Sequence, residues 1–454
     1  MLESPIIIHI GGKQVSPNKI FNRRQFLGSS VAGAVGTGVL GWPGSVEPMS
    51  ASPAETPKIK EYRTLGRTGF EVSDVAAGTG LASDPSVLNA LLDAGVNYID
   101  TGESYGNGRA ESNIGEVIKR RDRKSLFITT KLGLSKDRRK AAIIDRTRKC
   151  LERLQTDYVD CVMIHSAPDT ETLKTPEFHE AMTELKSEGR VRFLGVCNHG
   201  TKWASTLEPA MDKILMAAAE DGRFDVMLLV YNYVAREMGE KVLQACSEKN
   251  IGTTLMKTNP VGRYLELKSQ ADALESEGGK VDAWLSGRIA KYKENADKAE
   301  SFLERNNLKS MNDVRDAAIG FALNNKKVNT VCLSFMNFDY VNAYLKLSGR
   351  RFSEADDEML SAFAESCGSL YCRHACGRCE PSCPHGVPVN SIMRYNHYFE
   401  AQGSEKHAMT KYAGLPTTKA DKCSGCEGPC EAACPYDVPI QTMLVLAHRR
   451  LTLA

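Results

Sequence analysis

Eight cysteines near the end of this chain stand at spacings that could do chemistry: Cys372-x3-Cys376-x2-Cys379-x3-Cys383-Pro384 and Cys423-x2-Cys426-x3-Cys430-x3-Cys434-Pro435. Thiolates this close can hold a metal group from one short loop, and two such runs offer either iron–sulfur clusters or paired ligands for tetrahedral zinc. The Cys-Pro ending of both runs favours iron–sulfur. His374 and His385 lie nearby, where loop histidines are expected to be solvated. The other six cysteines, Cys150, Cys161, Cys197, Cys246, Cys332 and Cys367, follow no ligand spacing and read as packed thiols. Clustering of eight out of fourteen argues for metal rather than for disulfide staples.

A second set of reactive residue types sits in a long alternating region. From residue 58 to about 349, apolar β-type runs are expected at 75–80, 98–101, 126–131, 159–165, 193–198, 226–231, 253–257 and 330–335. Helical patterns lie between them, among them 85–92, 143–154, 178–188 and 240–247. Eight strands each followed by a helix predict an α/β fold, a (β/α)8 TIM barrel. An open doubly wound sheet is the alternative, but no glycine-rich GxGxxG turn follows the first strand. A charged helical insert, 281–305, follows the seventh strand and reads as a solvated lid or spacer. In such barrels the reacting residues stand at the C-terminal strand ends. Asp100, Tyr105, Lys131 and His165 fall there.

At these positions the chain resembles the aldo-keto reductase family. The resemblance runs through Tyr62-Arg-Thr-Leu-Gly-Arg-Thr-Gly69, Asn97-Tyr-Ile-Asp-Thr-Gly-Glu-Ser-Tyr-Gly106, Thr129-Thr-Lys131, 160–165 and Gly195-Val-Cys-Asn-His199. It implies carbonyl–alcohol interconversion by nicotinamide hydride transfer, with Asp100, Tyr105, Lys131 and His165 as the catalytic tetrad. A hydride delivered to a carbonyl leaves an alkoxide that needs a proton, and a phenol gives it well if its pKa is brought down. Lys131 is expected to lower Tyr105, Asp100 to hold Lys131, and His165 to position the substrate oxygen or pass the proton. The resemblance also implies a nicotinamide site, NADP or NAD, at Asp100, Cys197, Asn198, Ser334 and Asn342. The family's Gln on the sixth strand is replaced by Leu228 and its stacking Tyr on the seventh by Met256. Val331-Cys-Leu-Ser-Phe-Met-Asn337 replaces the glycine-containing phosphate turn and brings no Lys or Arg for a 2'-phosphate.

The cysteine runs are similar to those of two-cluster ferredoxins, each with one inserted residue, and 389–401 reads as a helix between them. That resemblance implies a small helical two-cluster ferredoxin-like domain with crossed ligation. Cys372, Cys376, Cys379 and Cys434 would hold one 4Fe-4S cluster, and Cys423, Cys426, Cys430 and Cys383 the other; a single cluster is the smaller alternative. The whole pattern is that of the aldo-keto reductases with an iron–sulfur tail.

The front of the chain carries Arg23-Arg24-Gln25-Phe26-Leu27, a glycine-rich apolar stretch to Trp42 and a Pro/Ser/Ala-rich spacer. This resembles a twin-arginine export signal, which implies the twin-arginine translocase as a partner and an exported, periplasmic protein. Ala51 and Ala54 are candidate cleavage positions, with an uncleaved tether as the alternative; the stretch is too short for a stable membrane span. Clusters and nucleotide are made in the cytoplasm, so a route for folded proteins and a cluster-bearing tail explain each other. The expected organisation is 1–57 signal and linker, 58–350 barrel, and 351–454 iron–sulfur domain. Fifty-eight basic against fifty-six acidic side chains, with no long basic run, exclude nucleic acid as a partner. The expected substrate is a small carbonyl or alcohol, and the electron-transfer partner is unassigned. Two rivals remain: a barrel that only binds while the tail is redox-active, and a plain reductase with a zinc tail.

Overall fold

Apolar runs of four to seven residues form the strands expected of them. The computed structural model describes residues 9–10, 13–14, 57–80, 84–134, 137–199, 211–259, 271–281, 286, 289, 293–400, 405–415 and 418–452. It divides into compact units Met1–Ala54 and Glu55–Ala454. In the first, His9–Ile10 and Lys13–Gln14 pair antiparallel; the Arg23-Arg24 stretch lies outside the described residues. No helix among the described residues is long and apolar enough to cross a membrane.

In the second unit eight parallel strands close into a barrel: β1 Val75–Gly78, β2 Tyr98–Asp100, β3 Phe127–Leu132, β4 Val159–Ile164, β5 Val191–Cys197, β6 Val226–Val230, β7 Gly252–Met256 and β8 Thr330–Leu333. Val331 of β8 pairs with Val75 of β1 and shuts the ring. Around it lie α1 Pro85–Asp93, α2 Arg109–Ile118, α3 Lys140–Leu154, α4 Pro176–Ser187, α5 Met211–Asp221 and α6 Glu237–Glu248. The start of α1 is local chemistry: the Asp84 carboxylate accepts from the Ser86 and Val87 amides and Pro85 opens the first turn. Its buried face is Val87, Leu88 and Leu91. Of the charged insert, α7 Lys293–Arg305 is described, and residues 282–285, 287–288 and 290–292 fall outside the description. The helices α8 Met311–Asn324 and α9 Phe338–Leu345 complete the ring.

A hairpin that the sequence reading leaves out, Tyr62–Thr64 with Glu71–Ser73, precedes β1. Its turn meets the start of β7. Arg67 donates its backbone N–H to Asn250 O, and a Cβ on Gly66, whose φ is +47°, would stand 2.3 Å from Gly252 N. Only glycine fits that approach.

After the barrel, α10 Glu354–Cys367 starts with a capping box between Ser353 and Asp356. The helices α11 Val389–Glu400, α12 Glu405–Ala413 and α13 Ile440–Leu451 enclose a separate small core of Val387, Ile392, Tyr395, Tyr412, Val438 and Leu444. The cysteine runs lie in the loops before α11 and α13.

Candidate functional site

At one end of the barrel two neighbouring strands bring a carboxylate and an amine together. Lys131 Nζ donates to Asp100 Oδ1 at 2.5 Å and to Thr101 O at 2.6 Å, and lies 3.4 Å from the Tyr105 hydroxyl. The Lys131 side chain is fully buried. A buried ammonium is tolerable only when paired, so Asp100 fixes both its charge and its direction. Burial alone pulls Lys131 down, but Asp100 and then Tyr105 raise it further, and it stays charged. Asp100 Oδ2 is enclosed and has no hydrogen-bond partner among the described residues.

Tyr105 differs from expectation. Lys131 does draw the phenol down, yet burial pushes it up by more, so the group sits above its ordinary range. Asp100, paired with Lys131, also opposes the lowering. The consequence is a phenol that keeps its proton to high pH, a donor rather than a poised phenolate. His165 stands edge-on to it, ring centroids 5.7 Å apart. Burial, then Lys131, Lys411, Arg394 and His407, hold this imidazole down to about 3. It is therefore neutral at any ordinary pH.

The residues expected around the nicotinamide are less uniform. Asn198 is fully buried just beyond β5, its side-chain amide donating to Ala167 O at 2.7 Å. Cys197 accepts the Ser166 amide at 3.3 Å and so braces the loop after His165 rather than presenting a free thiol. Ser334 is half-buried just beyond β8, whereas Asn342 is exposed on α9. Leu228 on β6 and Met256 on β7 are both buried. At the start of α9, Asn337 accepts the Asp339 and Tyr340 amides, and Asp339 adds negative charge. That helix end is already capped and is a poor seat for phosphate.

In the tail, Cys434 of the second run lies near Cys372 and Cys376 of the first, while Cys383 of the first lies near Cys423 and Cys430 of the second. Cys372, Cys376, Cys379 and Cys434, with Pro435, wall one small cavity. Among the described residues no three His, Cys, Asp or Glu side chains are grouped as a single metal ion needs. Sulfurs also accept hydrogen bonds: Val387 N donates to Cys383 Sγ at 3.3 Å and Gly428 N to Cys426 Sγ at 3.5 Å. Of the six scattered cysteines, Cys150, Cys161, Cys197, Cys246 and Cys367 are buried and Cys332 is half-buried.

Four supporting residues escaped the sequence reading. Glu380 Oε1 accepts the Asn390 amide at 2.7 Å, and Glu431 Oε1 accepts the Gln441 amide at 2.8 Å. Each carboxylate ties a cysteine loop to the start of the helix that follows. Asn390 also donates to Arg373 O, and Gln441 to Cys423 O, at 2.8 Å each. The signal was present as an internal repeat, Cys-Glu-x-x-Cys-Pro-x-x-Val-Pro, at 379–388 and 430–439.

The tail is not remote from the barrel. Arg378 pairs with Glu237, Arg373 Nε donates to Val234 O at 3.4 Å, and Lys257 Nζ of the barrel lies 4.9 Å from the centre of the Tyr398 ring on α11. His374, expected to be solvated, is instead 4% exposed, hydrogen-bonded at Nδ1 to the Tyr371 hydroxyl and packed edge-on against His397 at 5.0 Å. Tyr371 and His397 both belong to the tail, so the loop's packing on the helix after it encloses the imidazole. His385 is exposed as expected.

Comparison with known proteins gives three kinds of match. The model of the aldo/keto reductase family matches residues 81–365. Among curated proteins the chain is similar to the aldo-keto reductase YhdN of Bacillus subtilis, 30% identical over 214 residues, which cover 43% of this chain and 61% of that protein. It is also similar to the oxidoreductase YqkF of the same organism, 32% identical over 148 residues, covering 30% of this chain and 47% of that protein. The chain thus spans less than two thirds of the length of either relative. Among solved structures, an aldo-keto reductase of Bacillus halodurans in its holo form is 20% identical, with 68% of this chain and 96% of that chain covered and a TM-score of 0.46.

Proposed function

We propose, for a chain that belongs to the aldo/keto reductase family, that it is an exported oxidoreductase interconverting a small carbonyl and its alcohol, with 4Fe-4S clusters in its tail. The observation that carries the catalytic part is Lys131 Nζ, locked on Asp100 at 2.5 Å and 3.4 Å from the Tyr105 hydroxyl. The enclosed Asp100 Oδ2 and the buried Asn198 fit the nicotinamide end of NADP or NAD. Bound nicotinamide supplies the hydride for reduction and takes it up in the reverse direction. Tyr105 then gives its proton to the carbonyl oxygen, Lys131 stabilises the phenolate that forms, and Asp100 keeps Lys131 charged and aimed. Neutral His165 orients the substrate oxygen by a hydrogen bond.

The test is oxidation of NADPH or NADH on addition of small aldehydes and ketones to anaerobically purified protein, followed against pH. Tyr105, raised, keeps its proton as pH climbs, and His165, lowered to about 3, has already lost its own. The rate constant for reduction is therefore expected to be flat from about pH 5 to about pH 9. A titration step near neutrality would remove His165 from this role, and absence of nicotinamide binding would reject hydride transfer. One observation favours the rival in which the barrel binds without turning over: the capped, acidic start of α9 where a phosphate is expected. Nucleotide binding in that experiment decides between the two.

For the tail, the all-thiol donor set and the crossed proximity of the two runs support two 4Fe-4S clusters carrying single electrons to or from a partner. Zinc would draw four sulfurs to about 2.3 Å from one ion. A cluster holds its thiolates on the outside of a larger body, which suits thiols that ring a cavity.

Export rests on Arg23 and Arg24. Changing both to lysine keeps the charge and removes the guanidinium forks. The variant is expected to remain in the cytoplasm with its iron intact, as fractionation would show; unchanged export removes the signal assignment.

A further inference from the structure

Asp100 and Lys131 stand on barrel strands, but Tyr105 stands in the turn between β2 and α2. Just after it, Gly106, Asn107 and Gly108 take left-handed backbone in succession, with φ of +57°, +55° and +88°. Such a conformation is costly for a residue with a Cβ, as at Asn107, and it persists where the surroundings hold it. The turn that places the proton donor therefore depends on what grips it from outside.

The grip comes from two carboxylates that flank Tyr105 in sequence. Before it, Glu103 Oε1 accepts the Gly133 amide at 3.1 Å and Oε2 accepts Arg146 Nε at 2.9 Å, while Arg146 Nη2 donates to Gly133 O at 2.9 Å. After it, Glu111 Oε1 accepts the Thr130 hydroxyl at 2.5 Å and Oε2 accepts Arg153 Nε at 2.7 Å. Glu111 is fully buried, and a carboxylate there is tolerable only when paired. Both arginines belong to α3, about two turns apart and so on one side of it. Arg153 also fills the space beneath the turn, since a Cβ on Gly108 would stand 2.7 Å from its Cδ. Thr130 and Gly133, which the two carboxylates reach, bracket Lys131. Two ties thus run from the Tyr105 turn to the Lys131 strand, and between them lies the 3.4 Å approach of phenol and ammonium.

We propose that Arg146 and Arg153 are positioning residues for the reduction: acting through Glu103 and Glu111, α3 holds the Tyr105 hydroxyl at the Lys131 ammonium. A donor displaced by about an ångström can lose up to about a hundredfold in rate. The kinetic consequence rests on the reductase reading; the holding of the turn stands on the ties alone.

The test uses the full chain, purified anaerobically, with Arg146→Gln, Arg153→Gln and the corresponding lysine changes. One measurement is amide hydrogen exchange of segment 101–108 by mass spectrometry. Each glutamine variant is expected to speed it by about tenfold or more, while 159–164 and 226–230 keep wild-type rates. The other is kcat for butanal at saturating NADPH or NADH. It is expected to fall by about ten- to a hundredfold with KM for the nucleotide within about twofold, and lysine, which keeps the charge without the fork, to restore part of the loss. The deciding comparison is the Tyr105→Phe background, which has no hydroxyl to place. There the same glutamine changes are expected to alter the residual rate by less than about twofold. Should Arg153→Gln fail to fold with Glu111 left buried and unpaired, Arg146→Gln carries the test. A kcat that the glutamine changes leave alone, or lower as much in Tyr105→Phe as in the wild type, overturns the inference. Faster exchange in the variants with no carbonyl turnover in the wild type keeps the holding of the turn and sinks the reductase reading. Wild-type turnover with neither exchange nor kcat moved by the variants does the reverse.

Discussion

Replacing Tyr105 with phenylalanine is expected to lower carbonyl turnover by roughly two to four orders of magnitude, the usual worth of general acid catalysis. The ring is retained, so its contact with the Lys131 ammonium, 4.9 Å from the ring centre, and its edge-on packing on His165 survive. What is lost is the hydroxyl beside Nζ, the proton donor in the proposed reaction. Folding and nucleotide binding should persist, because the lysine remains anchored on Asp100 and Thr101. An anaerobic stopped-flow trace of nicotinamide absorbance measures the fall, and dithionite bleaching of the visible absorption checks that the tail is unaffected. Turnover within a few-fold of the wild type would reject Tyr105 as the acid.

The second large effect concerns which cysteines belong together. The wild type is expected to hold about eight iron and about eight sulfide per chain. Cys434→Ser alone should leave about half, although it lies in the second run, because its neighbours are Cys372 and Cys376. Adding Cys379→Ser should then cost little more iron, since both changes strike the same cluster. Adding Cys383→Ser instead should empty the tail, because Cys383 stands with Cys423 and Cys430. Iron and acid-labile sulfide analysis reads all three variants. If both double variants empty the tail, ligation follows the sequence and is not crossed; stoichiometric zinc without sulfide ends the iron–sulfur reading.

The barrel was legible because its signal is local. Runs such as Val159–Ile164, buried at every position, cannot sit anywhere but a core strand. The hairpin Tyr62–Thr64 with Glu71–Ser73 was not, since its three-residue strands are partly exposed and mix charge with apolar groups. The four tetrad positions could be named from strand ends, but the upward shift of Tyr105 could not. It depends on how deeply the phenol is enclosed, which no neighbour in sequence reveals. The same holds for the docking of the tail. Arg378 meets Glu237 and Arg373 meets Val234 across long stretches of chain, and His374, between those two arginines in sequence, is buried against His397 of the next helix. Polar loop residues read as solvated until a second surface covers them.

The repeated carboxylate clasps, Glu380 on Asn390 and Glu431 on Gln441, give the tail two equivalent halves, while the last cysteine of each lies beside the other's run. It is built like a homodimer whose subunits have traded ends and then been strung on one thread. If ligation is crossed as proposed, neither run completes a cluster site with its own four thiols, so a peptide cut between them would leave two incomplete cages rather than one finished and one lost. On that reading, assembly of both cages waits for the second run, Cys423 to Cys434, to arrive.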